Sequence, residues 1–150
     1  MEALGAVIAR RLVAGDLVLL NGALGAGKTT LTRGLGAELG VRGPVTSPTF
    51  VLARTHPRAD PANAGAPLVH VDAYRLGSAL ELDDLDIEFA DSIVVVEWGA
   101  GLLDGLTNDW LQVDILRESS AADGSEPRTV TITGHGERWE DLGWIGASRD

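Results

Sequence analysis

Residues 19–31 read LLNGALGAGKTTL and contain Lys28, the single lysine of a chain that otherwise uses eleven arginines. Gly22-Ala23-Leu24-Gly25-Ala26-Gly27-Lys28-Thr29 meets the pattern G-x-x-x-x-G-K-[ST] at each fixed position. With this composition, chance produces that pattern in roughly two of a thousand such sequences. Each residue type has a physical reason. Glycines let the backbone curl so that successive N–H groups face a phosphate. A helix starting at Lys28 adds the positive end of its dipole. An ammonium on a flexible stem follows β- and γ-phosphates where arginine's planar fork does not fit. The Thr29 hydroxyl is placed to join a Mg²⁺ ion.

The flanks agree with that reading. DLVLLNG, before the loop, is a short apolar run that predicts a buried strand ending at Asn21-Gly22. After it, Leu31, Leu35 and Leu39 fall on one face of a helix from Lys28 to about Leu39, and Gly40 stops it. Upstream, MEALGAVIARRL has Leu4, Val7, Ile8 and Leu12 at helical spacing, which predicts a core-packing helix. Acidic Glu2 and Asp16 beside it argue against a transit peptide.

Farther along, FVLARTH and LVHVD read as strands, with the Pro/Ala/Gly-rich PRADPANAGAP between them as a connection. Residues 80–90 read as helical. SIVVVE is a continuous apolar strand of the kind buried on both faces. WLQVDIL and RTVTIT alternate, and RESSAADGSEP between them supplies the turn of an antiparallel hairpin. The expectation is one α/β domain over residues 1–150. Its sheet is mixed and P-loop-like, flanked by helices, parallel around the loop and antiparallel at one edge.

Composition removes several classes of function. The absence of cysteine excludes disulfides and thiolate metal sites. No apolar run reaches a membrane span and no signal-peptide core is present, so a cytoplasmic location is expected. A formal net charge of −10 opposes autonomous binding to nucleic acid, while leaving a basic protein partner open.

A phosphate loop needs carboxylates at nearby strand ends to hold the metal directly or through water. Asp72 ends LVHVD and Glu97 ends SIVVVE. Strand-terminal carboxylates lie where open α/β sheets bind ligands. TSPTF (46–50) follows the phosphate-loop helix, where switch segments sit in other proteins of this kind. Ser47 or Thr49 could there sense a γ-phosphate, and a plain proline turn is the alternative. Arg75, near Asp72, reads as a surface ion pair, and the acidic run from Glu81 to Glu88 as a solvated face. The three histidines show no metal spacing and read as structural. The four tryptophans read as core or rim residues.

With Lys28 the only lysine, the guanine-reading motif N-K-x-D is impossible, which disfavours a Ras-like GTPase. No arginine-rich lid follows Asp72, as a small-molecule kinase would want. Three hypotheses remain at this point: a partner-serving ATPase, a small-molecule kinase of the same fold, and a nucleotide-binding docking module without turnover.

Four motifs in order, LGAGKTTL, SPTF, HVDAYRL and VVEWG, resemble the TsaE (YjeE) family, the small ATPases of bacterial tRNA threonylcarbamoyladenosine synthesis. The resemblance covers roughly residues 4 to 117. It implies ATP and Mg²⁺ at Gly22, Gly25, Ala26, Gly27, Lys28, Thr29 and Thr30, with Thr29 and Glu97 as metal ligands. Asp72 becomes the acidic residue of the Walker B strand, and Lys28, Asp72 and Glu97 the catalytic set. The implied partners are TsaD and TsaB, whose threonylcarbamoyl transfer to adenosine 37 of tRNA needs this ATPase. Two departures stand out. Ala23 replaces the Asp usual after the first loop glycine, where a small effect is expected. The sequence also starts almost at the first helix, where family members often have a short strand and a Thr. GERWEDLGWIG (136–146) matches no family motif.

Overall fold

The computed structural model describes residues 2–22, 27–41, 53–59, 65–72, 88–97, 109–117 and 128–146. The apolar run before the phosphate loop becomes β1 (Leu17–Gly22), one of the two middle strands of a six-stranded sheet. Its neighbours are β4 (Ile93–Glu97) and β5 (Trp110–Arg117), both parallel to it. Outside β4 lies β3 (Leu68–Asp72), also parallel, and then β2 (Ala53–His56), antiparallel. Outside β5 lies β6 (Arg128–His135), antiparallel, as the alternating pair predicts. The order is β2-β3-β4-β1-β5-β6. The sheet is therefore antiparallel at both edges, whereas the sequence pattern marked only one. The ARTH segment carries no sign of strand direction.

Two helices cover one face. Helix α1 (Glu2–Ala9) and α2 (Lys28–Leu39) pack over Val18, Leu20, Leu68, Ile93, Val95, Leu111, Val113 and Ile115. From α2 the core takes Leu31, Leu35 and Leu39, the periodic leucines, and from the α1 segment Ile8, Ala9 and Leu12. The other face buries Leu17, Leu19, Val69, Val71, Val94 and Val96, with Phe89 and Trp110 against them. Every residue of β4 is buried, because it faces a packed layer on both sides. Of the helix predicted over residues 80–90, residues 80–87 lie outside the described residues. Phe89–Asp91 forms a single 3-10 turn.

The two helices approach unusually closely. A Cβ built on Gly5 would overlap the Leu31 carbonyl, and one on Gly34 would overlap the Glu2 carbonyl. Only glycine permits this backbone contact, which seats α1 against α2.

The segment without a family motif is ordered into the same body. A 3-10 turn, Glu137–Trp139, follows β6 and places Trp139, 1% exposed, in the same core cluster as the residues of α1 and α2. A short helical turn, Gly143–Gly146, ends the described chain. Among the described residues no helix is long and apolar enough to cross a membrane.

Candidate functional site

The phosphate-loop helix starts where the sequence pattern places it. Gly27 precedes α2 with φ 116°, a left-handed conformation that a side chain would strain. Its carbonyl accepts the first helical bond, from Leu31 N at 2.9 Å. Lys28 is the first helical residue. Its Nζ donates to the carbonyl of Gly22, the last residue of β1, at 2.6 Å. The lysine thus spans the loop from its helical end to its strand end. Thr32 Oγ1 donates to the Lys28 carbonyl at 2.8 Å and steadies the first turn. Thr29 and Thr30 are half-buried beside it.

Parallel pairing then brings the two strand-end carboxylates to this point. Glu97 of β4 lies opposite Leu20 of β1, and Asp72 of β3 lies opposite Glu97. Glu97 therefore belongs to the strand beside the phosphate-loop strand, and Asp72 to the next one out. Side chains alternate along a strand, so Asp72 and Glu97 share the face of Leu68 and Val95, the face covered by α2. Lys28 is 6% exposed. Burial lowers its pKa from the usual lysine value, and the charges of Glu97 and then Asp72 oppose that shift. Lysine and both carboxylates thus act on one another at the end of the sheet.

His70, read from the sequence as structural, is brought against one of these carboxylates. Its Nε2 lies 2.7 Å from Glu97 Oε2, with both side chains shielded from solvent. One signal was present: His70 precedes Asp72 by two residues and so shares its face. A second polar row runs on the opposite face. Asn21 Nδ2 donates to Asp114 Oδ1 at 3.0 Å, and Gln112 Nε2 donates to Asp114 Oδ2 at 3.0 Å. His135 Nε2 lies 3.1 Å from Gln112 Oε1, its ring stacked on Trp110 at 4.2 Å. This row ties the residue just before Gly22 to the antiparallel hairpin. Gly25, Ala26, Ser47, Thr49 and Arg75 lie outside the described residues.

The donor chemistry fits magnesium. The Thr29 hydroxyl and the Asp72 and Glu97 carboxylates are hard oxygen donors. Among the described residues no group of three or more His, Cys, Asp or Glu forms a cage of its own. Mg²⁺ needs no such cage, since it keeps waters and combines one or two protein oxygens with phosphates.

A strand and a helix joined through the G-x-x-x-x-G-K-[ST] stretch, with the helix's leading lysine reaching back to the strand's last carbonyl, define a P-loop fold. The profile of the family described as threonylcarbamoyl adenosine biosynthesis protein TsaE matches residues 1–126, and the chain belongs to that family. It is 58% identical to the tRNA threonylcarbamoyladenosine biosynthesis protein TsaE of Streptomyces coelicolor, over 93% of each chain. It is 50% identical to the protein of that name from Mycobacterium tuberculosis, over 77% of this chain and 73% of the other. The crystal structure of Bacillus subtilis YdiB superposes with a TM-score of 0.67 at 32% identity, over 93% of this chain and 81% of that one.

Proposed function

We propose that this chain, as one cytoplasmic domain over residues 1–150, binds and hydrolyses ATP with Mg²⁺. In this reading it supports the TsaB–TsaD complex in threonylcarbamoylation of adenosine 37 of tRNA. The names of its relatives supply the pathway. One observation carries the chemistry: the Lys28 ammonium closes the phosphate loop onto Gly22 while facing the charges of Glu97 and Asp72. A buried cation beside two strand-end carboxylates is an arrangement suited to a metal–triphosphate and of little use to a plain core.

Lys28 neutralises the phosphate oxygens, and the N–H groups of the loop (Gly22, Gly25, Ala26, Gly27) and of the first helical turn (Lys28, Thr29, Thr30) cradle them. Thr29 and Glu97 would hold the metal, and Asp72 stands behind Glu97 to orient water. When bound, the metal would supply further neutralisation of phosphate charge. Ser47 and Thr49 are the proposed reporters of the γ-phosphate to the partner. No lid signature appears in the sequence, so turnover by the chain alone is slow, and a partner that covers the nucleotide accelerates it.

The test is phosphate release with and without purified TsaB and TsaD, beside calorimetry of ATP binding to Lys28→Ala. Stimulated release and lost binding in the variant support the reading. Phosphate transferred to a small acceptor would instead mark a kinase, and no turnover under either condition a docking module.

A further inference from the structure

The structure assigns His70 as a positioning residue that fixes the carboxylate of Glu97; the assignment rests on the reading above that Glu97 serves the metal. The bond is short, 2.7 Å, and joins a ring nitrogen to a carboxylate oxygen in a site with almost no access for water. Its direction follows from the other side of the ring. His70 Nδ1 is buried and has no hydrogen-bond partner. A proton there would be a buried donor without an acceptor, so the proton belongs on Nε2, where it meets Glu97 Oε2. The imidazole then donates and the carboxylate accepts, a charge-assisted bond of the stronger kind.

The backbone makes this a rigid support. His70 and Asp72 stand on β3, Glu97 on β4, and the pairs His70–Val95 and Asp72–Glu97 are parallel ladder partners. A ring held in a sheet ladder sets the plane of the carboxylate it touches more sharply than a loop residue would. One oxygen of Glu97, Oε2, is committed to His70, which leaves Oε1 for the metal side. The opposite charge is held separately, with Lys28 Nζ on the Gly22 carbonyl. His70 thus keeps Glu97 presented as a ligand near a lysine whose charge attracts it.

The test compares His70→Gln with His70→Asn. Glutamine places an amide N–H near the position of Nε2, and asparagine places it near Nδ1, where it does not reach Glu97. Mn²⁺, as a probe for Mg²⁺, is titrated by electron paramagnetic resonance into the complex with a non-hydrolysable ATP analogue. His70→Asn should weaken Mn²⁺ about tenfold, as loss of a ligand's orienting partner does, with His70→Gln close to wild type. Metal-free affinity for the analogue should not change in either. Wild-type affinity in His70→Asn, or equal losses in both variants, overturns the assignment. Glu97→Gln separates the levels: loss of Mn²⁺ there with none in His70→Asn sinks only the role of His70. Unchanged Mn²⁺ affinity in Glu97→Gln sinks the metal reading with it. Should the asparagine variant not fold, ¹⁵N resonances of the wild-type ring decide. The proton is expected on Nε2, and a proton on Nδ1 overturns the assignment.

Discussion

Arg138 holds Asp16 by two nitrogens, Nε 3.1 Å from Oδ1 and Nη2 3.0 Å from Oδ2. The pair joins residues at opposite ends of the chain. Asp16 stands just before β1, and its Oδ2 also accepts from Val13 N at 2.8 Å. Arg138 lies beyond residue 126, where the family match ends. Its Nη2 reaches the Arg11 carbonyl at 2.5 Å, and its guanidinium sits 4.2 Å over the Trp139 ring. The terminal segment is therefore part of the body that carries the phosphate-loop strand.

Removing that clasp should cost stability. Arg138→Ala breaks a bidentate pair that is buried on the aspartate side and part-exposed on the other, so the expected loss is about 1–2 kcal/mol. Trp139→Ala empties a core position and should cost about 3–5 kcal/mol. Trp139→Phe should cost less, because it also deletes an indole N–H that has no hydrogen-bond partner. Urea unfolding of the three variants ranks them, and a Trp139→Ala midpoint equal to wild type would remove the segment from the core.

Gly34→Ala gives a prediction of opposite sign to helix propensity. Alanine in a helix interior gains about 1 kcal/mol over glycine. Here its Cβ would meet the Glu2 carbonyl of α1, which must move away. Overpacking against backbone typically costs about 1–3 kcal/mol, so the net effect is a lower melting temperature. Gly5→Ala should behave alike, from the other helix. A rise in melting temperature for either variant would show that α1 sits farther from α2.

What was legible in the sequence, and what was not, divides by distance along the chain. Leu17–Gly22, Gly27, Lys28 and the leucines of α2 were readable because strand, turn and helix there are consecutive. Asp72 and Glu97 were readable as strand ends, since apolar runs stop at them. That His70 would meet Glu97 depended on the register of β3 against β4, which separate stretches of sequence do not encode visibly. Trp139 was legible as a large apolar residue without periodic neighbours. Its seat in the core depends on Gly134, where a Cβ would overlap the Trp139 carbonyl. The second antiparallel edge was hidden for the same reason: direction is a property of a pair.

Free tRNA should bind this chain weakly. The net charge is −10, and several described arginines are engaged within the chain. Arg10 pairs with Glu38, Arg138 with Asp16, and Arg58 donates to the Ala66 carbonyl at 2.8 Å. Fluorescence anisotropy at physiological salt should give a dissociation constant weaker than about 10 µM. Tighter binding with a steep salt slope would reveal a basic face, and the tRNA would then contact this chain directly rather than its partners.

The pH dependence of nucleotide binding tests the site's electrostatics most directly. Lys28 has its pKa lowered from 10.5, by burial first, with Glu97 and then Asp72 working against the shift. Between the lowered value and 10.5 the unfolded chain binds more protons than the folded one, so Lys28 makes stability rise with pH across that window. Below the window the cost of burying the charge is present in full. Binding runs the other way. In the proposed function the triphosphate needs the charged ammonium, so affinity is expected to fall as pH rises through the lowered value. Glu97→Gln removes the largest influence that keeps the lysine charged, so its pKa drops further and the loss of affinity moves to lower pH. Asp72→Asn should move it in the same direction by less. Titration of a fluorescent ATP analogue across the alkaline range, in wild type and both variants, gives the order: Glu97→Gln loses affinity at the lowest pH, then Asp72→Asn, then wild type. Affinity independent of pH in all three would remove Lys28 from the phosphate site, and a reversed order of the two variants would place Asp72, not Glu97, nearer the ammonium.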